Sequence, residues 1–365
     1  MRYRVLPVLL SVSMIFAVGV VSACCMVPKS FLGTISQNAQ QAVLFHHVDR
    51  EELILQIDYK IKSEKDTGDG QQMPKQFAWV VTMPNEPDQY KLADGGIYKQ
   101  VRDWASPIVT PSRPSGGGCS FGCAADLKSK KDASIVLGRR AQVGPYDIQP
   151  VRAVGADALV ALNSWLTENG FPTEEPKHMK YFVDGGFTFL CIKISPPAGK
   201  ENVEAGGSVP PLHLSFKSEK PYYPLMFSSR QGVFDLNLFV LTDTPLDYTA
   251  SSDALTRINW GDTGLLKNIK VNSDSFPTAL AAVYKNKAGE AKSDAWYLNV
   301  IGSHRVNDEN AIAGWTSDVF LDTGGKVAAR ESTTDVTLAA MFIGAAAWWT
   351  FRRRRKRVFR QVVAE

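Results

Sequence analysis

The stretch Glu51-Glu52-Leu53-Ile54-Leu55-Gln56-Ile57-Asp58-Tyr59-Lys60-Ile61-Lys62 decides the fold class. Leu53, Leu55, Ile57, Tyr59 and Ile61 share one face, while Glu52, Gln56, Asp58, Lys60 and Lys62 fill the other, with Ile54 the exception. Successive side chains of a strand point to opposite faces, so this period of two marks a half-buried β-strand. Upstream, Val43-Leu44-Phe45 runs into the polar turn His46-His47-Val48-Asp49-Arg50-Glu51. Residues 40–62 therefore read as an antiparallel hairpin.

The same reading extends outward. Residues 77–83 form a strand stopped by Pro84 and Pro87, and residues 134–143 and 146–154 form strands broken at Gly144-Pro145. Residues 157–169 are the clearest helix, with Asp157 as cap, a stripe of Leu159, Leu162, Trp165 and Leu166, and Gly170 to close it. A second short helix is predicted at 174–183 and a helical turn at 255–260. Further strands are predicted at 187–194, 212–216, 221–227, 233–241 and 295–302. The fold class is α+β, mainly antiparallel sheet with one or two covering helices, plus a single C-terminal transmembrane helix. Residues 24–245 make the main sheet-rich domain, interrupted by a Gly/Pro/Cys loop at 105–131. Residues 246–322 extend that body or form a small subdomain, and 323–335 form a tether.

The two ends carry the charge. The 365 residues have a net charge of +4, but Arg2 and Arg4 supply +2 and residues 352–365 supply +6, leaving −4 on the body. Residues 1–23 have a basic start, an apolar run and small residues before Cys24, the pattern of a secretory signal peptide. Val21-Ser22-Ala23-Cys24 also fits a lipobox, which makes Cys24 a candidate lipidation site. Residues 336–351 are sixteen uncharged residues, about 24 Å as a helix, against a bilayer core of about 30 Å. Trp348 and Trp349 with Arg352, Arg353, Arg354, Arg355, Lys356 and Arg357 fit an interfacial anchor that keeps the 352–365 tail in the cytoplasm. A nucleic-acid role for that tail is disfavoured beside an apolar helix.

Chemistry is harder to find. Cys119 and Cys123 flank Ser-Phe-Gly in the glycine-rich loop and are the candidate disulfide. Cys191 lies in an apolar strand as a buried thiol, with a bond to Cys25 the alternative. His46 and His47 read as surface-turn residues, and His213 as solvent-facing. Glu51-Glu52 and Glu174-Glu175 read as solvated acids. No catalytic, cofactor-binding or metal-binding residue is assigned, and no nucleophile motif such as G-x-S-x-G occurs.

Several segments in order resemble a known family: Cys24-Cys25, Asn38-Ala39-Gln40-Gln41, Gln56-Ile57-Asp58-Tyr59, residues 77–84, the loop at 116–123, Val143-Gly144-Pro145-Tyr146-Asp147, Asp157-Ala158-Leu159, Trp165-Leu166, Asn169-Gly170, residues 181–194 and residues 216–221. They resemble the bacterial exported proteins catalogued as domain of unknown function 2330. The resemblance spans about residues 24–245. It departs at Cys25-Met26-Val27, where relatives commonly place glycines after a single first cysteine. It implies export and anchoring and supplies no activity.

Together these readings predict a membrane-anchored envelope protein with a non-catalytic structural or partner-binding role. It is single-pass in the bacterial cell membrane, with the body on the extracytoplasmic side. Its expected partners are the membrane and an envelope protein or glycan, with no nucleic acid and no cofactor. The alternatives are an envelope hydrolase, which needs a histidine joined to an acid and a nucleophile in a cleft, and a glycan- or peptide-binding module, which needs exposed aromatics in one groove.

Overall fold

The computed structural model describes residues 24–64, 73–106, 134–155, 157–257, 266–285, 295–306, 315 and 317–324. Two sheets carry the fold. The first has the order β1 (Cys25–Met26), β4 (Phe77–Met83), β9 (Thr188–Ile194), β8 (Tyr146–Val154) and β6 (Ser134–Leu137), with β7 (Ala141–Val143) also on β8. The second has the order β14 (Leu266–Asn272), β15 (Ala295–Val306), β13 (Phe234–Thr242), β2 (Gly33–His47), β3 (Arg50–Ser63), β11 (Leu212–Lys217) and β5 (Gln89–Leu92), with β10 (Gly206–Ser208) on β3. Pairing is antiparallel except between β13 and β2, which run parallel. A small third sheet pairs β12 (Tyr222–Tyr223) with β16 (Val319–Phe320).

The predicted hairpin is β2–β3, joined by the two-residue turn Val48-Asp49. Val48 takes a φ of 56° there, a strained position for a β-branched residue. The alternation sorts residues between two cores. Leu44, Leu53, Leu55 and Ile57 face the first sheet and pack with Trp79, Val81, Ile148 and Ile192. Val43, Phe45 and Ile54 face the other way, against α1 (Ile97–Ala105) and α5 (Thr278–Lys285). Ile54, the exception to the predicted pattern, is thus buried because helices cover that face as well.

The first sheet is also covered on both sides, since every residue of β4 is buried. Its far face receives α2 (Ala158–Glu168), α3 (Pro176–Asp184) and the 3-10 helix Met226–Arg230: Phe182 and Phe227 both stack edgewise on Phe189 of β9. The layers are helices, sheet, sheet, helices. Each helix pair is expected to cover apolar sheet faces, and two sheets need two pairs.

The α2 helix ends as predicted. Gly170 has a φ of 83°, and the Phe171 and Gly170 amides donate to Leu166 and Thr167 carbonyls. Asp157 precedes the helix but its side chain makes no capping bond. Residues 221–227, predicted as one strand, split into β12 and the 3-10 helix. The helix α1, with α5 and β14, has no counterpart among the predicted elements.

The transmembrane expectation is corrected. No helix among the described residues is long and apolar enough to cross a membrane. Even α2, with 11 residues, spans about 16 Å. Among the described residues the fold is α+β, with one antiparallel and one mixed large sheet and no membrane helix, and the membrane-anchored function, the membrane partner and the single-pass localisation that rested on that helix are corrected with it. Residues 1–23 and 336–351, together with Trp348, Trp349, Arg352, Arg353, Arg354, Arg355, Lys356 and Arg357, lie outside the described residues.

Candidate functional site

Three buried polar clusters are the candidates. The first is built around α3. Asn163 of α2 clamps the chain before that helix: its amide donates to the Glu174 carbonyl at 2.7 Å and its oxygen accepts the Glu174 N–H at 2.9 Å. Pro176 then opens the helix at a position where a missing N–H costs nothing. This fixes Glu174 and, four residues on, His178. The Glu174 carboxylate meets His178 Nδ1 at 2.9 Å, and His178 Nε2 meets Ser229 Oγ at 3.2 Å. With the Nδ1 proton directed at the carboxylate, Nε2 accepts from the Ser229 hydroxyl. The imidazole lies flat on Phe227, with centroids 4.6 Å apart.

This connectivity is that of an acid, a base and a hydroxyl nucleophile. The surroundings differ from those of a working site. Ser229 is only 5% exposed, within the 3-10 helix. Neighbouring amides are already used: Met226 N–H donates to Asp318, Ser228 N–H to the Leu225 carbonyl, and Gln231 N–H to the Ser228 carbonyl. An oxyanion hole needs such donors aimed at open space.

The second cluster joins β3 to β11. Glu52 accepts from Ser215 Oγ at 2.8 Å and meets His213 Nε2 at 2.7 Å, while Arg50 reaches both Ser215 and Asp88. Here the carboxylate stands between histidine and hydroxyl, so the imidazole does not contact the serine as a base. His213 was expected to face solvent and is buried instead, because β5 and the Glu52 side chain close over it.

The third cluster surrounds the first described residue. Tyr223 Oη donates to Gln40, Gln40 Nε2 donates to Ser228 Oγ at 2.8 Å, Ser228 Oγ reaches Cys24 Sγ at 3.4 Å, and the thiol donates to Gln37 Oε1 at 3.1 Å. The Cys24 carbonyl accepts the Val80 amide, so the residue is stitched to β4. Cys24 is 2% exposed, and a lipid on its sulfur would require the thiol to leave the core. The adjoining cavity, lined by Gln40, Trp79, Thr82, Tyr223 and Ser228, has about 10 Å³ of room for a water centre, about one water molecule.

The other sequence candidates are placed as follows. Cys119 and Cys123 lie outside the described residues. Cys25 and Cys191 are both unpaired buried thiols, so the alternative bond between them is absent. Burial raises the pKa of each. Among the described residues no group of three His, Cys, Asp or Glu side chains is placed to hold a metal ion. Trp79 and Trp296 are core residues, and Trp104 packs edge-on against Phe276 in the same helix-covered core as Trp296. Trp165 stacks on Phe171 and Trp315 is buried, so these five are committed to packing, while Trp260 lies outside the described residues.

Sequence reasoning missed most of these clusters. Glu51, Glu52 and Glu174 pattern as solvated acids and are buried, and His46 patterns as a surface-turn residue and is buried as well. The one available signal was spacing: Glu174 and His178 are four apart, which places them on one helical face.

Comparison with known proteins adds a family. No curated protein matches the chain significantly. Among solved structures, the crystal structure of baculovirus P35 aligns at 11% identity, covering 81% of this chain and 98% of that one, with a TM-score of 0.35, too low to bear on fold or function. The match that reaches across residues 23–309 is to the family described as an uncharacterized protein conserved in bacteria, DUF2330, and the chain belongs to that family.

Proposed function

We propose that the chain is a non-catalytic module whose buried polar side chains fasten its layers together. The observation that carries this reading is the burial of Ser229 within a 3-10 helix whose neighbouring amides are spent on packing. Each cluster joins elements distant in sequence: Glu174 and His178 to Ser229, Glu52 to His213 and Ser215, Cys24 to Ser228. Buried polar networks of this kind specify one docking arrangement, since a misplaced partner leaves a costly orphan.

A second reading, a serine hydrolase, is favoured by the Glu174–His178–Ser229 connectivity alone. One experiment separates the two. The full chain is treated with a fluorophosphonate probe, beside Ser229→Ala and His178→Ala variants. The non-catalytic reading expects no labelling of Ser229. Stoichiometric labelling that both substitutions abolish, in variants that still fold by circular dichroism, would establish the hydrolase.

A further inference from the structure

Two adjacent thiols converge on one buried carboxamide. The Cys24 thiol donates to Gln37 Oε1 at 3.1 Å, and the Cys25 thiol reaches the same oxygen at 4.0 Å. Gln37 is 1% exposed, and its Nε2 has no hydrogen-bond partner among the described residues. A buried donor left in that state is costly. A bulge creates the arrangement. Gln37 and Gln40 are three apart, so a regular strand would point them to opposite faces. The β2–β3 register shifts between Gln37 and Ala39, and the extra residue, Asn38, is exposed while both glutamines turn inward.

The thiols are held in place. The Cys24 carbonyl accepts the Val80 amide and the Cys25 carbonyl accepts Gln231 Nε2, which fixes the dipeptide against β4. Ser228 Oγ, itself oriented by Gln40 Nε2, donates to Cys24 Sγ at 3.4 Å. With a C=O length of about 1.23 Å, Cys24 Sγ lies no more than about 4.3 Å from the Gln37 carboxamide carbon. Pre-reaction contacts are about 3–3.5 Å, so a small rotation of the Cys24 side chain closes the gap.

We propose that the Cys24 thiol condenses with the Gln37 carboxamide to form an internal thioester, tying the residue before β1 covalently to β2. The Sγ–Cδ bond forms and the Cδ–Nε2 bond breaks. The thiol proton passes to Nε2 and ammonia leaves, with no change of oxidation state. During attack charge gathers on Oε1, where the Cys25 thiol donates. Burial raises the Cys25 pKa and keeps that thiol protonated. The Ser228 hydroxyl steadies the charge on sulfur as its proton departs.

A thioester is a less stable acyl group than an amide. Loss of ammonia to solvent, together with removal of the orphaned Nε2, drives its formation. Cys24 and Gln37 are both shut off from water, which protects the product from hydrolysis. The small cavity lined by Ser228 and Gln40 holds about one water molecule, and ammonia is of similar size. This bond goes beyond the hydrogen-bonded fastening of the layers and stands whether or not the module is catalytic.

The test is intact-mass spectrometry of the purified full chain. Wild type should be lighter than the sequence between its observed termini by one ammonia molecule. In urea with a phosphine reductant it should carry one fewer thiol open to iodoacetamide. Methylamine in urea should open the bond, restore that thiol and leave an N-methylated Gln37 side chain, located by tandem mass spectrometry. Cys24→Ala and Gln37→Met should each abolish the ammonia loss, whereas Cys25→Ala, which removes only the assisting donor, should still form the bond. A wild-type chain of full mass with every thiol alkylated overturns the proposal, whatever the folding of the variants. A mass deficit that reduction reverses, that maps to other residues, or that survives Cys24→Ala overturns it too.

Discussion

The two cores of this molecule are built differently. The core between the second sheet and α1/α5 is mainly apolar and aromatic, although the Glu52–His213–Ser215 cluster is buried on the same sheet face: Trp296 lies 4.1 Å from Phe45, and Phe276 and Tyr284 pack around them. The core around the first sheet is crossed by hydrogen bonds. Asp318 there accepts from the Leu225, Met226 and Val319 amides and from Tyr222 Oη, and the thiol chain runs beside it. Apolar contact is non-directional and tolerates sliding, whereas a hydrogen-bonded carboxylate accepts one geometry. The first core supplies cohesion to the sheet. The second fixes where the irregular segment 218–231 sits.

The comparison is open to attack by substitution. Trp296→Ala should be the most damaging, costing about 3–5 kcal/mol by chemical denaturation, because a fully buried indole leaves a cavity its neighbours cannot fill. A loss below 1 kcal/mol would mean that this core is not cohesive. Asp318→Ala should cost about 2–3 kcal/mol, since it strands buried donors. It should also raise hydrogen exchange at Leu225 and Met226 specifically. Loss of protection spread evenly over both cores would mean that the two cores do not differ in this way. Tyr222→Phe keeps the ring and removes only the hydroxyl bonds to Asp318, the Thr82 carbonyl and Thr82 Oγ1, so about 1 kcal/mol is expected. Smallest is Val48→Asn at the hairpin turn. Val48 is 69% exposed with φ of 56°, and the substitution should stabilise by about 0.5–1 kcal/mol by relieving backbone strain. A destabilised variant would show that the turn is held by contacts instead.

The two cores were also unequally visible in the sequence. The alternation over residues 53–61 gave β3, and the stripe over 159–166 gave α2. Residues 221–227 looked like a strand because Tyr-Tyr-Pro-Leu-Met-Phe is apolar throughout, yet Asp318, some 90 residues on, holds the backbone amides of Leu225 and Met226 in a 3-10 start. The helix α1 went unseen because its single buried stripe, Ile97, Tyr98, Val101 and Ala105, is diluted by charge. Of the candidate clusters, Glu174 and His178 are local, while Ser229 joins them only through packing of the 3-10 helix on α3.

Local order in the chain determined the hairpin, the α2 and α3 helices, the β8–β9 strands and the α+β class, since those depend on side-chain period and turn residues within a few positions. The sequence also carried the family resemblance. Only the tertiary structure decided which polar residues are inside. A period of two states which residues share a face and is silent on what covers that face. Glu51 and Glu52 are adjacent, point to opposite faces, and are both buried because Tyr222 closes over one and His213 over the other. Those partners lie 171 and 161 residues away, where no local pattern can reach.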